Sequence, residues 1–220
     1  MSFESFKTNI LQIFSTNVGL PTLQGEEIEK LYRLTEIMLE VNKSMNLTAI
    51  TEERAVILKH YADSLTVSAM IPQNAKVIDV GCGAGFPTLP LAIIRPDISI
   101  TALDGTAKRI EYVRSTAEKL GLTNVKAISA RAEELGSSDK LGYRESFDIV
   151  TARAVATART VYTDARNFPK PSGCFILYKT PEQLKEDLPE IRSCASHKNW
   201  KVTEIFELPD SAGSRQFLFY

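Results

Sequence analysis

Lys76-Val77-Ile78-Asp79-Val80-Gly81-Cys82-Gly83-Ala84-Gly85-Phe86-Pro87 is the stretch on which the fold turns. The β-branched Val77, Ile78 and Val80 read as a strand, and three glycines at alternate positions follow it at once. Pro87 and Pro90 then fall where a helix would begin, the part of a helix whose N–H groups have no internal partner and which therefore tolerates proline. Strand, glycine turn and helix together make a ligand cradle: the backbone turns sharply, and a bound molecule lies against it with no side chain between.

The pattern of the chain changes at this point. Before Lys76, apolar residues recur at helical spacing, as in Ile28, Leu31, Leu34, Ile37, Met38 and Val41, which predicts a helical cap over 1–72. After it, short apolar runs alternate with amphipathic segments, as βαβ units do. Strands are expected at 76–80, 98–103, 125–129, 147–151 and 174–178, with a helix over 106–120 stopped by Gly121. A further helix is expected near 182–194, and 200–207 with 215–219 read as an antiparallel edge. The expected fold is α/β: a Rossmann-like, mostly parallel, doubly wound sheet in 73–220, carrying the cap and forming one compact unit.

The glycine spacing discriminates between ligands. A dinucleotide site places its third glycine one residue later, where Phe86 stands, and binds a pyrophosphate. Gly81, Gly83 and Gly85 after Asp79 suit S-adenosylmethionine, which brings no phosphate and whose ammonium Asp79 would neutralise directly or through water. Asp104 lies about 20 residues beyond the loop, where an acid accepts ribose hydroxyls. Ala132-Glu133, after the third strand, would flank the adenine, with Phe86 nearby. A glycine triplet alone is a tight turn. Bracketed by Asp79 and Asp104, it predicts a class I S-adenosylmethionine methyltransferase fold.

Ligands in such folds sit at the carboxyl ends of the strands, so Thr151-Ala152-Arg153-Ala154-Val155 should face the reacting atom. The Asn/Asp-Pro-Pro-aromatic turn of exocyclic-amine methylation is absent, and no cysteine lies there for attack on a pyrimidine ring. What remains is an acceptor with its own lone pair, such as N7 of guanine, methylated mainly by fixed geometry. Arg153 would orient the cofactor or the purine; the bland alternative is an ion pair with Asp148 or Glu133.

Composition narrows the class further. The net charge of -1 exerts no global pull on nucleic acid, so any RNA contact must be local. Three cysteines and two histidines build no ordinary metal site, so none is expected. Neither a membrane span nor a secretory start is visible, which predicts a cytoplasmic protein, expected as a monomer. Lys108 and Arg109, beside the cofactor acid, are candidates for RNA phosphate contacts, as is Lys179.

Between cap and sheet lie Asn42-Lys43-Ser44-Met45-Asn46-Leu47-Thr48 and His60-Tyr61-Ala62-Asp63-Ser64. Asn42, Asn46, Thr48, His60 and Asp63 read equally as a polar site edge, with Asn46, His60 and Asp63 catalytic, or as helix caps and a helix-surface pair. These segments resemble the "WNKxxNLT" and "RHxxDS" boxes of the bacterial small-subunit rRNA N7-guanine methyltransferases, once called glucose-inhibited division protein B. The similarity continues through 79–90, Leu103-Asp104, Lys108-Arg109, Arg131-Ala132-Glu133-Glu134, Arg153-Ala154 and Tyr178-Lys179. It implies cofactor contacts at Gly81, Phe86, Ala132, Glu133 and Arg153, and a guanine of 16S rRNA in the small ribosomal subunit as substrate. The family's tryptophan, loop glycine and "KG" glycine are here Val41, Thr88 and Thr180. Two other readings stay open from the residues alone: methylation of a small metabolite, and a ribosome assembly factor that binds the cofactor without catalysis.

Overall fold

Alternation of buried side chains on two faces makes the strands: Val77 packs into one apolar cluster and Ile78 into another on the opposite face. The computed structural model describes residues 2–16, 19–137 and 141–220. Its sheet runs β3-β2-β1-β4-β5-β8-β6, with β7 paired to β8. The strands β1 (Lys76–Val80), β2 (Ser99–Asp104), β3 (Val125–Ser129), β4 (Phe147–Arg153) and β5 (Pro169–Lys179) are parallel to their neighbours. Helices α5 (Thr88–Ile94), α6 (Ala107–Lys119), α7 (Ala132–Ser137) and α8 (Ala158–Ala165) make the crossovers. The strand order reverses between β1 and β4, so a crevice opens at their carboxyl ends.

Differences from expectation concentrate at β4, β5 and the edge. β4 runs on to Arg153 and β5 begins at Pro169, across a bulge between Phe147 and Ile149. At Gly173 a Cβ would lie 2.7 Å from the Phe147 carbonyl oxygen, so only glycine lets the strands approach there. After α9 (Pro181–Cys194), the 200–207 segment splits into β6 (Lys201–Val202) and β7 (Phe206–Glu207), both antiparallel to β8 (Ser214–Phe219). Thr203 causes the split, because its hydroxyl, in place of a main-chain carbonyl, accepts from the Phe217 amide at 3.0 Å.

The cap contains α1 (Phe3–Ser15) and α2 (Gly25–Met45), followed by α3 (Glu53–Val56), which passes through a π-helical stretch, Ile57–Ala62, into α4 (Asp63–Leu65). Its apolar face is not a separate core. Phe6, Ile10, Leu31, Leu34 and Tyr61 join Val77, Leu89, Ile100, Val113 and Phe217 in one cluster. Among the described residues no helix is long and apolar enough to cross a membrane.

Phe6 is fully buried at this shared face. Phe6→Ala should therefore cost about 3–5 kcal/mol and shift one cooperative thermal transition of the whole chain. A separate early transition, with the main one unmoved, would show that 1–72 folds by itself.

Candidate active site

All three loop glycines have positive φ: +73° at Gly81, +54° at Gly83 and +82° at Gly85. A Cβ on Gly81 would fall 2.6 Å from the Val155 side chain, and one on Gly85 2.5 Å from Leu89, whereas one on Gly83 would make only an ordinary 3.9 Å contact with the Gly81 carbonyl oxygen. The turn is tied to β2: the amides of Gly81 and Cys82 donate to the Leu103 carbonyl, and the Gly83 amide donates to Asp104 Oδ2 at 3.1 Å. Asp104 Oδ1 accepts from the Thr106 amide at 2.8 Å, so the carboxylate is fixed with lone pairs to spare.

Two cavities meet across Asp104. One, of about 320 Å³, is walled by His60, Gly81, Gly83, Phe86 and Arg153; the other, of about 410 Å³, by Gly105, Thr106, Ala130 and Ala132. Val155, an exposed apolar residue, lines both. An elongated ligand with hydroxyls at its middle and unlike ends matches this shape, so S-adenosylmethionine fits. Asp104 would hold the ribose, Ala132 would face the adenine, and the methionyl end would lie toward His60 and Arg153. Glu133 is exposed on the first turn of α7 and lies outside both linings.

Asp79 corrects one expectation. Its carboxylate is 1% exposed and belongs to neither lining. It accepts from Thr88 Oγ1 at 2.7 Å and Thr151 Oγ1 at 3.0 Å, joining β1 to α5 and β4. Burial pushes its pKa up to about 6, against the pull of the two hydroxyls and Arg153. Asp79 therefore shapes the cradle from beneath.

The cap supplies the opposite wall. His60 stacks on Phe86 with centroids 4.2 Å apart and rings 2° from parallel. Its Nε2 is 3.0 Å from Thr48 Oγ1 and its Nδ1 3.5 Å from Arg153 Nη2. Arg153 can only donate, so Nδ1 accepts and Nε2–H donates to Thr48. Burial first, and then the Arg153 charge, lower the His60 pKa to about 3, so the ring is neutral. Thr48 is bracketed by Asn42, whose side-chain amide bonds both its carbonyl and its amide at 2.9 Å. Asn46, expected in the site, is instead the exposed left-handed C-cap of α2, with φ 50°.

Asp63 is buried and forms no surface pair with His60; it meets Arg153 Nη1 at 2.8 Å and Arg215 Nε at 2.7 Å. Arg153 thus pairs with neither Asp148 nor Glu133, and Asp148 is taken by Lys170. Lys179 is also corrected. It is 7% exposed, with Nζ held by Asp187 and the Ala156 carbonyl, so it steadies the loop after β4 and cannot reach a phosphate. Lys108 and Arg109 are exposed, and Arg109 lines both halves of the cleft. Sequence reasoning missed Arg215, whose partner lies 152 positions away. Burial pushes the Cys82 thiol up, leaving it unreactive. Among the described residues no cluster of three or more His, Cys, Asp or Glu is placed to hold a metal.

Two opposed pH effects follow. The folded pKa of Asp79 lies above its ordinary 3.8, so its contribution to stability falls as pH rises from about 4 to 6. The folded pKa of His60 lies below 6.5, so stability falls as pH drops from 6.5 toward 3, and this larger displacement dominates. Melting curves should show lower stability at pH 5 than at pH 7, and the opposite order in His60→Gln, where only the Asp79 effect remains. Asp79→Asn should raise the melting temperature at pH 8 while weakening cofactor binding; a lower melting temperature would contradict the charge-burial account.

Comparison with known proteins agrees with this geometry. The model of the GidB family, rRNA small subunit methyltransferase G, matches residues 27–211. The ribosomal RNA small subunit methyltransferase G of Staphylococcus epidermidis is 40% identical over 206 residues, covering 91% of this chain and 83% of its own length. That of Thermoanaerobacter sp. is 40% identical over 193 residues, covering 87% and 78%. In solved structures the fold resembles a methyltransferase from Geobacter sulfurreducens (TM-score 0.58, 14% identity, 91% of this chain and 92% of that one). It also resembles an S-adenosylmethionine-dependent methyltransferase from Aquifex aeolicus (TM-score 0.55, 15% identity, 74% and 91%). With sequence relatives that span most of the cap as well as the sheet, the chain belongs to the GidB family of rRNA small subunit methyltransferase G proteins and is an S-adenosylmethionine-dependent methyltransferase.

Proposed function

We propose that this chain methylates N7 of a guanine in 16S rRNA, acting in the cytoplasm as a monomer on the small ribosomal subunit. The relatives' names support the RNA, and one observation supports the acceptor type: both nitrogens of His60, the histidine of the cofactor cavity, are engaged, and its ring is neutral. Asp104 is committed to the loop and Asp79 is sealed beneath it. These groups offer no free base to remove a proton, which suits a ring nitrogen that already carries a lone pair.

When bound, S-adenosylmethionine supplies the electrophilic methyl group. The protein's part is then placement: Asp104 orients the middle of the cleft, while the glycine turn, Phe86, His60 and Arg153 wall the end opposite Ala132 and exclude water. Fixed in-line geometry is a sufficient source of rate for such a transfer. A guanidinium spread over both O6 and N7 would block the attacking atom, so Arg153 is reserved for the cofactor side. Arg109, which lines the cleft, and its exposed neighbour Lys108 meet RNA phosphates. Residues 1–72 form the cap that completes the site on residues 73–220.

The test is transfer from methyl-labelled S-adenosylmethionine to intact small subunits and to naked 16S rRNA, with nuclease digestion and mass spectrometry of the product. Label in 7-methylguanosine is expected. Label in a metabolite extract with none in RNA would defeat the proposal, as would binding to subunits with no transfer, the signature of an assembly factor. Lys108→Glu should lower kcat/KM for subunits, leave kcat in place, and reduce the salt dependence by about one phosphate contact.

A further inference from the structure

Arg215 lies on β8, yet its guanidinium reaches into the cap and takes both oxygens of Asp63, Nε to Oδ1 at 2.7 Å and Nη2 to Oδ2 at 3.0 Å. From β4, Arg153 Nη1 takes Oδ2 at 2.8 Å. Asp63 is 2% exposed, and the two arginine side chains are 13% and 20% exposed. A lone Asp63–Arg153 pair would be electrically neutral and would attract no anion. With Arg215 sharing the carboxylate, the trio keeps one positive charge in excess in a poorly hydrated wall, where charge acts strongly.

Arg153 also has a donor left over. Nη1 is occupied by Asp63 and the Lys59 carbonyl at 2.9 Å, Nη2 faces His60, and Nε is buried without any partner. A buried N–H left in that state is costly, so it points to an acceptor that arrives with a ligand. Arg153 lines the glycine-loop cavity shared with His60 and Phe86 but not the half lined by Ala132. It therefore stands at the end opposite the adenine, where the cofactor's amino acid carries a carboxylate.

The neighbouring elements make the arrangement stiff. The Tyr178 hydroxyl donates to the Ser64 carbonyl at 2.8 Å, pinning the chain beside Asp63 to β5, and β5 pairs with β8 through Tyr178 and Phe217. The π-helical stretch, a feature frequent at functional sites, turns the Lys59 carbonyl and His60 toward Arg153.

We propose that Arg215 is a positioning residue: together with Asp63 it fixes Arg153 and leaves the trio with a net positive charge, so that Arg153 receives the carboxylate of the cofactor's amino-acid end. This rests on the glycine-loop cavity being the S-adenosylmethionine site.

Calorimetry with two ligands tests it. S-adenosylhomocysteine carries the amino-acid end, and 5′-methylthioadenosine shares its adenosine and sulfur but lacks that end. Removing Arg215 leaves Asp63 and Arg153 as a neutral pair, so R215Q should stay folded, as its melting curve will show; R215K serves if it does not. R215Q is expected to weaken S-adenosylhomocysteine by roughly tenfold or more, the scale of one charge-assisted contact. Its affinity for methylthioadenosine should be unchanged. R215K, which restores the charge but not the two-pronged contact, should recover part of the loss. R153Q combined with R215Q should be no weaker than R153Q alone, because Arg215 acts through Arg153. Unchanged S-adenosylhomocysteine affinity in R215Q, equal losses for both ligands, or additive losses in the double variant would each overturn the proposal. If the wild type bound neither ligand, the cavity assignment itself would fall, and the proposal with it.

Discussion

A carboxylate buried at the end of β1 must have its oxygens answered, and the way Asp79 is answered fixes the rest of the site. Thr151 reaches it from β4 and Thr88 from the start of α5, so one side chain joins the two strands of the order reversal to the helix that follows the glycine turn. The turn between them then has little freedom: it must take positive φ at three positions and pass under Val155. Ionising Asp79 in this setting is unfavourable, as its raised pKa records. That cost is a form of stored readiness, since a cationic ligand end nearby favours the charged form.

A second buried carboxylate, Asp63, organises the opposite wall. Its effect extends to His60, because the Arg153 guanidinium it holds both occupies Nδ1 and disfavours the imidazolium. A histidine in a catalytic cavity invites a role as general base. Here the stacking on Phe86, the Thr48 hydroxyl and the adjacent cation make it a neutral wall. Stacking and placement are what a site needs when the acceptor atom has no proton to lose.

The fold was legible wherever the cause was local. Alternation and β-branching give the strands, and the glycines declare the turn, because positive φ is a property of single residues. Asp104 was legible by spacing instead, because an acid at the end of the second strand falls about 20 residues beyond the glycines. Asp63 and Arg215 meet across 152 positions, and no local pattern reports which arginine a buried aspartate will choose. Lys179 misled for a related reason: a lysine after a strand reads as exposed until Asp187 from α9 is seen beside it. Asn46 and Asn42 lie one helical turn apart, and only the backbone decides that the first ends the helix while the second holds Thr48.

The departures from the family boxes follow the same physics. Thr88, where a glycine is usual, is fully buried and gives its hydroxyl to Asp79, so the substitution supplies a donor that glycine cannot. Thr180 caps α9 reciprocally with Gln183, holding the start of the helix that carries Asp187 to Lys179. Each change adds a hydrogen bond, one beneath the glycine turn and one at the start of α9, and neither residue lines the glycine-loop cavity. The cofactor surface is left untouched while its support is rebuilt, and that is the kind of variation a site governed by geometry can absorb.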